Sequence, residues 1–202
     1  MDDFGLQFKT NYPRLAGLRL NLILAADGQW VLGTRDRRKH DADLDLRLIG
    51  HLRSVSDLIV TTGETIRRER YTASKWAPIA VLSSSANILA EPLFADPAEH
   101  ESLLITSNCE LVGKTKTALK VEDSLDVPAI VEKLENMNFK NILLETGPSV
   151  TALFEPFLDE ICLTSPNGTN ADSVLSTVTN RPRKLISQID TKDYSFSRFA
   201  LY

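Results

Sequence analysis

Cysteine and histidine are scarce in this chain. Cys109 and Cys162 are far apart with no Cys-x-x-Cys spacing, and His40, His51 and His100 form no ligand pattern. A zinc centre normally draws on three or four nitrogen or sulfur ligands, and a stapled fold needs several cystine pairs, so no metal site and no disulfide framework is expected. Long apolar runs are missing as well. None approaches the roughly 20 residues that span a bilayer, and the N-terminus MDDFGLQFKT lacks the features of a signal peptide. A soluble cytoplasmic protein is expected. Nor is there a block of one charge: 23 basic residues face 27 acidic ones, for a formal net charge of −4. Neither nucleic acid nor an anionic membrane surface is therefore expected as principal partner. No internal repeat, low-complexity tract or linker interrupts the chain.

What is present suits one sizeable core. With 202 residues, 43% of them hydrophobic, the chain predicts a single domain over 18–202 behind an extended lead-in over 1–17, where Pro13 argues against a helix. LRLNLILA (Leu18 to Ala25) reads as a buried strand that stops at the Asp27-Gly28 turn. From Asp41 to Val55, apolar residues at 44, 48, 49, 52 and 55 keep helical spacing, with Asp41 or Asp43 as N-cap. Strand, loop and helix then recur: Leu58 to Val60 with Gly63 and ETIRRER behind it, PIAVLSSSA, and SLLITSN. ILAEPLFADPAEH, with its interior prolines, reads as loop with a short helical turn. TALKV predicts a short strand, Val127 to Met137 an amphipathic helix, Ile142 to Leu144 a strand, Ser149 to Glu155 a helix, and DEICLTS a strand. RKLISQI and YSFSRFALY close the chain as two strands. Strands alternating with helices imply parallel pairing with both sheet faces covered, and the short TKD link implies an antiparallel terminal pair.

In an open α/β sheet, ligands bind beyond the carboxyl ends of the strands. Four loops have that placement. TTGET (Thr61 to Thr65) and ETGPS (Glu145 to Ser149) set a glycine between strand and helix, where backbone can approach a ligand and amide donors suit a phosphate. SSSA (Ser83 to Ala86) and TSN (Thr106 to Asn108) add hydroxyls. The same residue types also serve ordinary turns, and neither a GxGxxG fingerprint nor a Walker loop is present. Glu145 ends an apolar strand, where a carboxylate calls for a ligand, a hydrogen-bond partner or a salt bridge. Asp27 fits an ordinary turn, and Arg68 and Arg70 of RRER fit a solvated helix face.

Three stretches, NLILAADG, HLRSVSDLIVTTGETIRRERY and ILLETGPSVTALFEPFLDEICLT, carry a shared pattern. It consists of an Asp-Gly turn after a strand, a helix ending Leu-Arg, Gly-x-Thr-x-Arg-x-acid, and an E-x-G-P loop followed by D-E-x-x-L-T. Together they resemble the pyrimidine reductase domain of riboflavin biosynthesis, the C-terminal domain of the bacterial bifunctional deaminase-reductase, in the dihydrofolate-reductase-like family. The resemblance runs from Leu18 to Tyr202. It implies a three-layer α/β fold with a mostly parallel central sheet and antiparallel C-terminal edge strands, usually a homodimer. It also implies an NADPH-dependent oxidoreductase that takes the ribosyl group of 5-amino-6-(5-phosphoribosylamino)uracil, or a related compound, to ribityl.

Carried over to this sequence, Thr62, Gly63, Ser83, Ser84, Thr146, Gly147 and Ser149 would line NADPH. Asn21, Asp27, Arg53, Arg67, Glu69 and Glu145 would face a small phosphorylated pyrimidine. Glu69 stands where many relatives have Asp. Glu145, then Asp27, are the candidates for assisting proton movement. The zinc motifs of the deaminase module do not occur in these residues, so the reductase step alone is expected. Two departures bear on specificity: QWVLGTRDRRKHDAD does not reproduce the family's Gly-x-Ser-x-Trp-Ile-Ser, keeping only Gly33-Thr34, and SSSA lacks an arginine for a 2′-phosphate. A non-catalytic nucleotide-binding protein and a folate or pteridine reductase therefore stand as alternatives. Apolar residues in LFEPFLDEICL and YSFSRFALY are expected to form a dimer surface.

Overall fold

The computed structural model describes residues 3–25, 27–31, 43–95, 100–115, 117–123 and 126–202. Gly33, Thr34 and Asp41 lie outside them. The described strands are β1 (Gly17–Ile23), β2 (Leu58–Thr62), β3 (Ile79–Leu82), β4 (Leu103–Thr106), β5 (Ala118–Lys120), β6 (Asn141–Leu144), β7 (Leu158–Pro166), β8 (Arg183–Asp190) and β9 (Tyr194–Leu201). They form one sheet in the order β5-β4-β3-β2-β6-β1-β7-β9-β8. Strands β1 to β7 pair in parallel, while β9 runs antiparallel to both β7 and β8. This is the expected α/β architecture with its antiparallel C-terminal edge.

Between and beside the strands lie α1 (Asp3–Asn11), α2 (Asp43–Ser54), α3 (Gly63–Glu69), α4 (Pro92–Ala95), α5 (Val127–Asn136), α6 (Pro148–Phe154) and α7 (Ala171–Leu175). The strand period of two sorts the core onto two faces. Leu18, Leu20 and Leu22 of β1 pack with Ile130 and Leu134 of α5 and Phe154 of α6. On the other face Ile59, Val81, Leu143 and Cys162 meet Leu48 and Leu52 of α2, Ile66 of α3, and Phe8 and Tyr12 from the N-terminal segment. Helix α5 shows its local logic clearly. Asp126 caps it by accepting from the Ala129 amide at 3.1 Å, Pro128 sits in the first turn, and Val127, Ile130 and Leu134 are its buried stripe. No helix of the described residues is long and apolar enough to cross a membrane.

The lead-in is where expectation and structure part. Residues 3–11 are helical rather than extended, and the segment docks through aromatic edge contacts, Phe8 lying 5.6 Å from Phe196 and 6.1 Å from Tyr12, centroid to centroid. Burying such a phenylalanine is worth about 1.5–3 kcal/mol. Pro13 ends the helix instead of preventing it, and three side-chain donors satisfy the carbonyls left open there. Arg198 donates to the Asn11 carbonyl at 2.9 Å, His51 Nε2 to that of Tyr12 at 2.8 Å, and Arg19 to that of Pro13 at 2.9 Å. Both arginines also pair with Glu160, each at 2.6 Å, in an almost fully buried cluster. Nothing local in MDDFGLQFKT announces these partners, which come from β1, α2, β7 and β9.

Helix α2 opens at Asp43, and α7 is an addition to the expected elements. The apolar residues assigned to a dimer surface are mostly interior: Phe154, Leu158, Ile161, Phe196, Phe199 and Leu201 are all buried. β9 lies between β7 and β8 rather than at an edge, so its alternating residues find cover within the same chain.

Candidate active site

β2 lies between β3 and β6 in the sheet, so three of the four loops singled out above leave the same edge side by side. They enclose a cavity of about 490 Å³, lined by Thr62 and Gly63, by Ser83, Ser84 and Ser85, and by Gly147 and Ser149 among others. The fourth loop braces the third, Asn108 Nδ2 donating to the Ser84 carbonyl at 3.2 Å.

Gly63 is required for space. A Cβ built on it would stand 2.8 Å from Ser83 Oγ and 2.9 Å from Ser83 Cβ. Gly147 takes φ −74° and ψ 170°, a backbone open to any residue. Thr62 caps α3, its hydroxyl accepting from the Thr65 amide at 3.3 Å. Thr146 turns its hydroxyl into the fold, 2.9 Å from that of Thr151, and is buried. Arg67 and Arg68 also line the cavity. Arg68 is thus part of the cavity wall as well as partly solvated, and Arg67 stands with the Gly63–Ser83 side rather than with Glu145. The Glu69 side chain is only 1% exposed and accepts from Arg68 Nε at 3.2 Å.

Beside this cavity a second cluster forms on the face covered by α2. The backbone of Glu145 is held by β2 from both ends, its amide donating to the Val60 carbonyl at 2.9 Å and its own carbonyl accepting from Thr61 Oγ1 at 2.8 Å. Its carboxylate receives Arg53 from the last turn of α2 in a two-point fork, Nε to Oε1 at 2.8 Å and Nη2 to Oε2 at 2.6 Å. Burial would favour loss of the Arg53 charge. The facing Glu145 outweighs it, so the guanidinium is held above its ordinary range, with Tyr71 adding to the effect. Proton movement through Glu145 would first have to open this fork.

The β1–β6 register aligns Leu20 with Leu144. One residue further it sets Asn21 beside Glu145, on the same face. Asn21 is 6% exposed, and neither its Nδ2 nor its Oδ1 has a hydrogen-bond partner among the described residues. A native core rarely leaves a buried amide unmet, which keeps Asn21 among the candidate ligand contacts. Asp27 is exposed and accepts from the Gln29 amide at 3.0 Å, closing the turn in which Gly28 takes φ +79°.

Sequence reasoning missed Tyr71, whose hydroxyl lies 3.2 Å from Arg53 Nη2 and 3.5 Å from Glu145 Oε2. It also missed buried Asp45 of α2, which accepts from Thr164 Oγ1 at 3.1 Å. Tyr71 sits in a polar stretch without periodicity, so no local signal marks it. Asp45 had one, a third acid placed among the leucines of DADLDLRL.

A mostly parallel sheet, a cavity over the carboxyl ends of adjacent strands and a buried carboxylate–guanidinium pair beside it define a dihydrofolate-reductase-like α/β domain. Dihydrofolate reductase from Enterococcus faecalis, solved in complex with NADP(H) and RAB-propyl, shares this fold at TM-score 0.51 and 11% identity, over 92% of this chain and 96% of that one. Within that class the chain belongs to the RibD C-terminal domain family, whose model matches residues 16–165.

A pyrimidine reductase-like protein from Corynebacterium diphtheriae is similar at TM-score 0.72 and 18% identity, over 96% of this chain and 98% of that one. A diaminohydroxyphosphoribosylaminopyrimidine deaminase/5-amino-6-(5-phosphoribosylamino)uracil reductase from Thermotoga maritima is similar at TM-score 0.70 and 13% identity. That match takes in 97% of this chain, which spans 60% of the longer protein. At such identities the likeness speaks for the fold. No curated protein matches the chain by sequence.

Proposed function

We propose that the chain is an NADPH-dependent reductase of the riboflavin-pathway type, taking the ribosyl group of 5-amino-6-(5-phosphoribosylamino)uracil, or of a related compound, to a ribityl chain. The observation that carries this is the cavity over β3, β2 and β6 with the Arg53–Glu145 pair beside it. Family membership supports it, since structural relatives are named as pyrimidine reductases.

The cofactor fits the residues present. Hydroxyls of Ser83, Ser84 and Ser149 and the guanidiniums of Arg67 and Arg68 line one cavity, a donor set suited to phosphate oxygens. Thr62 and Gly63 would form its floor, and Thr146 and Gly147 would set the approach of the last loop. When bound, the nicotinamide supplies the hydride. The protein's own share is orientation. Asn21 would meet the substrate with an amide that no described residue engages, Arg53 would meet an acceptor oxygen, and Glu145 would keep Arg53 in place. Asp27, at the mouth of β1, and Glu69 complete the substrate side on family likeness. In balance, the anomeric carbon gains the hydride, its bond to the ring oxygen breaks, and that oxygen takes up a proton. A homodimer would form through edge strand β8, where Leu185 and Ile186 are exposed, instead of through the largely buried LFEPFLDEICL and YSFSRFALY segments.

Titration with NADPH and, separately, NADH, followed by nucleotide fluorescence, tests the cofactor. Micromolar NADPH binding that weakens in Gly147→Val supports this placement, whereas binding of neither nucleotide would end the reductase reading. NADPH oxidation dependent on the phosphoribosylaminopyrimidine, and lost in Glu145→Ala, separates an enzyme from a nucleotide-binding protein. Inhibition by methotrexate-like pterins would move the substrate to the pteridines.

A further inference from the structure

We propose that Tyr71 is a positioning residue for the reduction, locking the Arg53 guanidinium so that its Nη1 edge faces an acceptor oxygen of the substrate. This rests on the function proposed above.

Arg53 has five N–H groups to place. Nε and Nη2 hold the two oxygens of Glu145, and Nη2 also reaches Tyr71 Oη at 3.2 Å. The tyrosine ring lies under the same cation, with the guanidinium carbon 5.3 Å from its centroid. The planar group is thus gripped at one edge and one face. Nη1 has no partner among the described residues, and the side chain keeps 20% of its exposure. A cation fixed in this way, with two donors left on one edge, suits a phosphate or ring-carbonyl oxygen and gains orientation over a freely rotating arginine.

The backbone before Tyr71 supports a built arrangement. Arg70 closes α3 in the left-handed region, at φ 54° and ψ 49°, with its amide on the Ile66 carbonyl at 2.9 Å. A residue with a Cβ is disfavoured there, and persists where the surroundings demand it. The reversal at Arg70 carries the chain back to α2, where Tyr71 meets Arg53. Tyr71 Oη accepts from Arg53, and its own proton is directed toward Glu145 Oε2 at 3.5 Å, a long contact. Hydroxyl and ring are separable: Tyr71→Phe removes the first, and Tyr71→Leu removes both.

The test joins steady-state kinetics with the phosphoribosylaminopyrimidine to the ¹⁵N-edited NMR signal of the Arg53 Nε–H, assigned through Arg53→Lys. In Tyr71→Phe, KM for the pyrimidine should rise roughly tenfold with kcat within about twofold, since a contact to a non-reacting part of the substrate is lost. Tyr71→Leu should raise it further and broaden the Nε–H signal, while NADPH affinity stays unchanged in both. Unaltered KM in both variants, or a Nε–H signal in Tyr71→Leu as sharp as in the parent protein, overturns the proposal. Should Tyr71→Leu fail to fold, Tyr71→Phe decides through KM. Should the parent protein show no turnover, the function proposed above falls separately. Tyr71 is then judged on the signal alone: its loss in Tyr71→Leu supports the positioning role, and its persistence removes it.

Discussion

Arg53 and Glu145, 92 positions apart in the chain, meet through two parallel hydrogen bonds of 2.8 and 2.6 Å. Removing Glu145 alone leaves the Arg53 cation without its carboxylate. Losing one partner of a buried pair costs about 3–5 kcal/mol, whereas replacing both by apolar groups is close to neutral. The partial exposure of Arg53 places the single loss at the lower end of that range. Glu145→Leu should therefore lower the urea midpoint markedly, and the double variant Arg53→Met, Glu145→Leu should recover most of it. Additive losses in the double variant would show that the pair is not coupled.

Gly63 and Ser83 make the second testable contact. A methyl group on Gly63 has to displace Ser83 Oγ and Cβ, both within 3.0 Å of it. Overpacking of this kind costs about 1–3 kcal/mol, and it separates the two loops proposed to hold the cofactor. Gly63→Ala should weaken NADPH binding in fluorescence titration and lower stability. Gly63→Ala combined with Ser83→Gly should restore stability, because the added carbon then has room, while NADPH binding stays weakened for want of the Ser83 hydroxyl.

A third prediction concerns the N-terminal helix. Glu160 is 2% exposed and faces Arg19 and Arg198, which in turn hold carbonyls at the end of α1. Glu160→Gln leaves two cations with one neutral partner, and a loss of about 3–5 kcal/mol is expected. Arg198→Met removes the bond to the Asn11 carbonyl. Amide hydrogen exchange over residues 3–11 should accelerate in that variant while exchange in β6 stays slow. Protection unchanged over 3–11 would show that aromatic packing alone holds the helix.

His51 gives a pH dependence with a definite sign. Burial holds its pKa below the ordinary 6.5, with Arg19 and Lys9 acting in the same direction against the hydrogen bond to Tyr12. The folded state therefore resists protonation more than the unfolded chain does. The contribution is fully present above 6.5 and is lost as the pH falls from there through the lower folded-state value. Denaturant midpoints measured across about pH 5 to 8 should decline on the acid side. His51→Gln should flatten that part of the curve, and an equal decline in the variant would assign the effect elsewhere.

Each local unit was legible because its cause is local. The apolar runs ending at Val60, Leu82 and Leu144 and the glycines set behind them at Gly63 and Gly147 mark strand and loop without reference to any other part of the chain. Glu145 was legible for a similar reason, as a carboxylate at the end of a buried strand. The cavity was only half legible, since its loops could be named but their adjacency could not. The missed helix over 3–11 has no strong periodic signal of its own, and its stability comes from Phe196, Arg19 and Arg198, which the chain supplies much later.

Sequence by itself determined which residues become strands, where their loops bend, and that acids, hydroxyls and glycines collect at one end of the strands. Propensity, period and turn chemistry act over a few residues and need no partner. Tertiary structure alone decided that β2 lies between β3 and β6, that α2 delivers Arg53 to Glu145, and that Asn21 is buried with an amide that no described residue meets. Strand order and side-chain meetings are set by crossover connections and by which faces bury the most apolar surface together, quantities that belong to the whole chain and to no segment of it.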